Sequence, residues 1–273
     1  MRLAFRLAYL GDGFSGSQIQ VDRRTVEGEA IAACRRLALF DDWRKARFAF
    51  AGRTDRGVHA RGQVAAFDTP DPDRARSALN LQLPRDCWCT GVAEVPDAFH
   101  PRYDTRSRTY RYYFPRIPLD RDAMAAAARL FTGEHDFSRL ARVEGKDPVR
   151  NVLSAGVLDD GGFTCLEVTG ESFLWQMVRG MAGALVSVGR GELDEGGLGE
   201  LLSGTPGERH PPAPSSGLVL WEMDCGIRFE PMPRSPRSAA FLSTVRCHHE
   251  VMARVASILE GDSGNGARPG PGP

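Results

Sequence analysis

The chain has 273 residues, a mass of 29.9 kDa, 42% hydrophobic and 26% charged residues, and a formal net charge of zero. That composition fits a soluble globular protein able to bury a substantial core, and it excludes a disordered, collagen-like or membrane-spanning chain. No segment reaches the length of a membrane span, and the opening MRLAFRLAYLGDG lacks the unbroken apolar run of a secretion signal. A cytoplasmic protein with six reduced cysteines and no structural metal is therefore expected.

The zero net charge hides an asymmetry. Residues 1–116 hold 20 Lys+Arg against 14 Asp+Glu, and residues 117–273 hold 15 against 21. One surface, drawn mainly from the first half, is expected to meet a polyanion. Only Lys45 and Lys146 are lysine.

In chain order, residues 2–9 alternate like a strand and run into a Gly-rich turn. Residues 25–39 carry apolar positions at helical spacing. Strands are expected at 44–50 and 62–68, and a helix at 72–81 with Pro72 in its first turn. Strands follow at 87–95 and 108–114, a helix at 120–132, strands at 151–157 and 163–169, and a long helix at 173–189. A helix at 194–203, a strand at 217–224 and a helix at 238–260 complete the pattern. The fold class is α+β. The Gly/Pro/Ser-rich stretch 261–273 is expected to be disordered.

The segment most informative for chemistry is GRTDRGVHA, residues 52–60. It holds Asp55 between Arg53 and Arg56, with His59 close behind. A carboxylate beside guanidinium groups is favoured as the anion, and an anion is what attack on an electrophilic carbon requires. Spacing alone, however, favours a solvated charged turn. Tyr110 lies in an aromatic run that reads equally as strand core. Arg179 lies among Val178 and Met181, where an arginine is seldom buried without a partner. Arg102, Arg106, Arg108, Arg111 and Arg116 crowd five cations into fifteen residues beside one acid, Asp104.

The segment GRTDRGVHA resembles the signature of the TruA family of pseudouridine synthases. So do FHPRYDTRSRTYRY (99–112), QMVRGMAG (176–183), APSSGLVL (213–220), LPRD (83–86) and GEHDF (133–137), in family order over most of the chain. The resemblance implies two similar α/β halves forming a continuous, mainly antiparallel sheet flanked by helices, with the active-site cleft between them. The halves are expected at 1–105 and 106–230, followed by a helical extension at 231–260. It further implies isomerisation of uridine to pseudouridine in the anticodon arm of tRNA, at about positions 38 to 40 in tRNA numbering, by a homodimer that needs no cofactor. Asp55 matches the family nucleophile, Tyr110 the active-site tyrosine and Arg179 the arginine that pairs with the carboxylate, for which a bidentate geometry is expected. Arg53 matches an arginine that holds the extruded nucleotide. Arg56, His59, Arg102, Arg108 and Arg111 are grouped with it as substrate contacts. One departure is Gly16-Ser17-Gln18, where the family often carries Gly-Trp-Gln. The alternative reading is a non-catalytic RNA-binding protein or tRNA chaperone on the same fold.

Overall fold

A computed structural model describes residues 1–261. The stretch 262–273, within the segment expected to be disordered, lies outside the described residues. Among the described residues no helix is long and apolar enough to cross a membrane.

The first strand, β1 (Arg2–Tyr9), is buried along almost its whole length, where alternation predicted a half-exposed strand. The reason is its place between two partners with side chains packed over both faces. Phe5 stacks on Phe67 at 5.2 Å. Even Arg2 is buried, its guanidinium donating to Asp68 at 2.9 Å and to the Phe99 carbonyl at 2.6 Å. Helix α1 (Val26–Arg36) starts where Thr25 Oγ1 accepts from the Gly28 N–H, with Glu27 and Glu29 in the first turn and Arg35 and Arg36 in the last. Only β2 (Ala49–Phe50) forms in the predicted strand 44–50. Asp42 captures the Arg44 N–H, and Arg47 turns into the left-handed region at φ 49° to place its guanidinium on Asp68 and Asp97, so the chain ahead of residue 49 is a turn.

Strand β3 (His59–Asp68) follows the GRTDRGV loop, then α2 (Pro72–Gln82), capped by Asp71 with Pro72 at its start, and β4 (Cys87–Glu94). The second half contributes β5 (Ser107–Tyr113), α3 (Arg121–Arg129), β6 (Gly133–Asp136), β7 (Val149–Asp160) and β8 (Phe163–Gly170). Helices α4 (Met177–Gly189) and α5 (Glu195–Leu201), strands β9 (Leu218–Asp224) and β10 (Glu230–Pro231), and helix α6 (Pro236–Leu259) complete the chain. The fold is α+β, with one ten-stranded sheet ordered β10-β4-β1-β3-β9-β5-β8-β7-β6 and β2 paired to β3. Every neighbouring pair is antiparallel except β3 with β9, which run parallel over His59–Val219 and Ala60–Leu220. That short parallel contact joins the two groups of strands. The loop carrying Asp55 enters β3 at this joint, and Tyr110 pairs with Leu220 one strand further on.

Helix α4 begins four residues later than predicted. The Arg142 N–H bonds the Trp175 carbonyl at 2.8 Å in an isolated bridge, and Gln176 is left-handed at φ 64°. Residues 173–176 therefore form the wall of a cleft instead of a first helical turn. The helix can lie close to the segments beside it because two positions on one face lack side chains. A Cβ on Gly180 would sit 1.9 Å from the Leu140 carbonyl oxygen, and one on Gly183 would sit 2.2 Å from that of Pro211.

Candidate active site

A cavity of about 740 Å³ opens between the two groups of strands. Its walls come from the 15–20 segment, the 51–55 loop, the turn after Phe99, strand β5 and the start of α4. Asp55, Tyr110 and Arg179, far apart in sequence, all face into it.

The Asp55 loop is held from behind. Thr54 is buried, its N–H donates to Ser17 Oγ at 2.8 Å, and the Ser17 N–H donates to the Thr54 carbonyl at 3.0 Å. The Thr54 hydroxyl meets the Tyr9 hydroxyl at 2.8 Å. Ser17, only 1% exposed, thus does by hydrogen bonding what an aromatic ring at that position cannot do. Gly57, at φ +78°, turns the loop back toward β3, and a Cβ there would meet Ser215 Oγ at 2.8 Å. His59 spans the same junction. Its Nδ1 accepts from the Gly11 N–H at 2.9 Å, and its Nε2 donates to the Ser216 carbonyl at 3.2 Å, so both ring nitrogens are engaged within the protein.

Arg179 is fixed by main chain at both ends. Its carbonyl accepts from the Ala213 N–H at 2.9 Å, and its Nε donates to the Ala213 carbonyl at 2.8 Å. Nη1 then reaches Asp55 Oδ2 at 3.5 Å, with side-chain exposures of 16% and 30% for the pair. The contact is single, not the bidentate pair expected, because Nε is committed to Ala213. It also falls short of setting the charge balance. Burial pushes the Asp55 carboxyl up, against the opposing effects of Arg179, the Trp175 indole and Arg142. The groups favouring the anion therefore come from across the cleft, whereas the flanking Arg53 and Arg56 are exposed. Arg53 lines the cavity near Glu27, and Arg56 does not line it.

Tyr110 is 8% exposed and packs edge-on against Phe173 at 5.2 Å. Burial pushes its hydroxyl up to about 12, so near neutrality it is a protonated hydrogen-bond donor. Arg108 spans the cavity edge, donating to the Glu171 carbonyl at 2.5 Å and the Arg102 carbonyl at 3.1 Å, and Arg102 lines the same cavity. Arg111 is one residue along β5 from Tyr110 and therefore on the other face of the sheet. There it pairs with Glu167 and Asp160 and lies over the Trp221 ring at 3.7 Å, away from the cavity. Sequence reasoning did not select Trp175, Arg142 or Phe173, and it noted Ser17 only as a departure from the family pattern. Of the first three, Trp175 and Phe173 carried a signal, as aromatic residues directly ahead of the QMVRG helix. Among the described residues no cluster of three His, Cys, Asp or Glu side chains is arranged to hold a metal ion.

A family model described as tRNA pseudouridine synthase matches residues 127–224. A protein of Methanoculleus marisnigri named tRNA pseudouridine synthase A is 54% identical over 270 residues, spanning 99% of this chain and 100% of that one. A namesake from Methanosphaerula palustris is 53% identical over 99% of this chain and 97% of its own. Another from Thermococcus kodakarensis is 46% identical over 84% and 87%. With identity this high along nearly the whole length, the chain belongs to the tRNA pseudouridine synthase A family and is an isomerase acting on tRNA.

Proposed function

We propose that the chain converts uridine to pseudouridine in the anticodon arm of tRNA, at about positions 38 to 40 in tRNA numbering, with Asp55 as the nucleophile. The observation that carries this reading is the convergence of Asp55, Tyr110 and Arg179 in one cavity from a loop, a strand and a helix. The target uridine leaves its stack at a cost of a few kcal/mol, offset by contacts within the cavity. The C1′–N1 bond breaks, assisted by Asp55 either through addition to C1′ or through elimination to a glycal. The freed uracil turns and C5 bonds to C1′, which releases Asp55 from C1′ in the first route and returns the proton to C2′ in the second; N1 gains a proton and the proton on C5 departs, so the overall composition is unchanged. Arg179, anchored on Ala213, orients the carboxylate and offsets part of its burial cost. Tyr110 offers its ring to the base and its hydroxyl as a hydrogen-bond donor. Arg53 and Arg102, at the cavity edge, meet phosphates.

The enzyme works as a cytoplasmic homodimer in this reading, since an L-shaped tRNA is large beside one 29.9 kDa subunit. A fully active monomer in sedimentation at micromolar concentration would rule the dimer out. The central test is Asp55→Asn on an unmodified tRNA transcript. Pseudouridine formation is expected to vanish while RNA binding persists, and wild-type turnover by that variant would remove Asp55 as the nucleophile.

A further inference from the structure

The turn after Phe99 is held rigidly and presents an aromatic ring to solvent. The His100 N–H donates to Asp104 Oδ2 at 2.8 Å, and the Tyr103 and Asp104 N–H groups return to the His100 carbonyl at 3.1 and 3.0 Å. The Arg102 N–H donates to His100 Nδ1 at 3.2 Å, and the Thr105 hydroxyl bonds the Pro101 carbonyl. Arg108 fastens this turn to the opposite wall through the Arg102 and Glu171 carbonyls. On this scaffold the Tyr103 ring lies 4.4 Å from that of His100, tilted by 35°, and Tyr103 is 78% exposed. Burial, then the Arg2 charge, lowers the affinity of His100 for a proton, which keeps the supporting ring neutral. Tyr103 lines the same cavity as Asp55 and Tyr110. That cavity is more than twice the roughly 300 Å³ at which small-ligand sites begin.

We infer that Tyr103, backed by His100, is a stacking subsite for the unpaired base next to the target nucleotide. Extruding one nucleotide strips its neighbour of a stacking face, and an exposed ring at the cavity edge restores one. A rigid two-ring platform does so with little ordering cost, and stacking accepts any base. The adjacent Arg102 lies where the linking phosphate would pass. The inference builds on the RNA substrate of the proposed function, and it concerns binding, so it is tested apart from turnover.

The test is equilibrium binding of an anticodon stem–loop RNA, intact or with an abasic residue 5′ or 3′ of the target uridine, to wild type, Tyr103→Ala and Tyr103→Phe. Loss of one base–aromatic stack corresponds to a rise in Kd of about 5- to 150-fold. That rise is expected for Tyr103→Ala on intact RNA, with Tyr103→Phe close to wild type. One abasic position should weaken wild type by a similar factor and leave Tyr103→Ala no weaker than before. Wild-type binding by Tyr103→Ala would overturn the inference. So would losses that multiply at both abasic positions. Turnover of the intact RNA by wild type is recorded separately, and its absence would count against the isomerase reading alone.

Discussion

Arg179→Ala tests the site most directly, because the side chain makes one contact with Asp55 and one with the backbone. Opposite unit charges 3.5 Å apart attract by about 5 kcal/mol at an effective dielectric near 20. Partial exposure of the pair and the remaining effects of Arg142 and Trp175 reduce this, leaving an expected loss of about 2–4 kcal/mol, or roughly 30- to 1,000-fold in rate. Asp55 already holds its proton more tightly than an ordinary carboxyl, and removing the largest opposing effect tightens it further. The acid limb of the pH–rate profile must therefore move to higher pH. Single-turnover kinetics with enzyme in excess over tRNA transcript separate this from binding. An unchanged single-turnover rate with a raised Kd would refute the argument and make Arg179 a phosphate ligand. Arg179→Lys keeps the charge but loses the Nε–H to Ala213, so it should recover only part of the rate.

Other substitutions probe the supports. Because burial raises the folded-state pKa of Asp55 above its unfolded value, its favourable contribution is complete below the ordinary carboxylate range and is lost as pH rises through the folded value. Thermal denaturation should thus find Asp55→Asn equal to wild type near pH 3 and more stable at pH 7; equal midpoints at both values would contradict the burial argument. Ser17→Ala leaves the buried Thr54 N–H without its acceptor, which should cost about 1–3 kcal/mol in urea denaturation. It should also lower kcat more than it raises KM, and a change in KM alone would detach Ser17 from the Asp55 loop. Gly180→Ala drives a Cβ into the Leu140 carbonyl, backbone against backbone. It should cost about 1–3 kcal/mol or more, seen as a lower Tm together with reduced turnover through the neighbouring Arg179.

The regular elements were legible in the sequence wherever one signal governed them. Pro72 marked the first turn of α2, and the strands expected at 62–68 and 163–169 lie within β3 and β8. Predictions failed where a distant partner overrode local preference. Residues 44–48 were expected as strand, but Arg47 is drawn to Asp68 and Asp97. Residues 173–176 continue a helical pattern, but the Arg142–Trp175 bridge and the left-handed Gln176 keep them out of the helix. Asp55 was identifiable from its segment, and its electrostatic surroundings were not. The arginines beside it in sequence are exposed, and the groups that act on it are Arg142, Trp175 and Arg179. Arg111 shows the same limit, since one step along a strand puts a side chain on the wrong face for a cleft its neighbour lines.

The parallel contact between β3 and β9 has a consequence for how the enzyme is made. It closes over residues about 160 apart in sequence, and the Asp55–Arg179 contact closes over 124, whereas hairpins such as β7–β8 close locally. Loop-closure entropy favours the local pairings first, so the geometry proposed for catalysis is among the last features to assemble. Catalytic competence would then be the most sensitive reporter of a loosening fold, fading before any spectroscopic sign of denaturation.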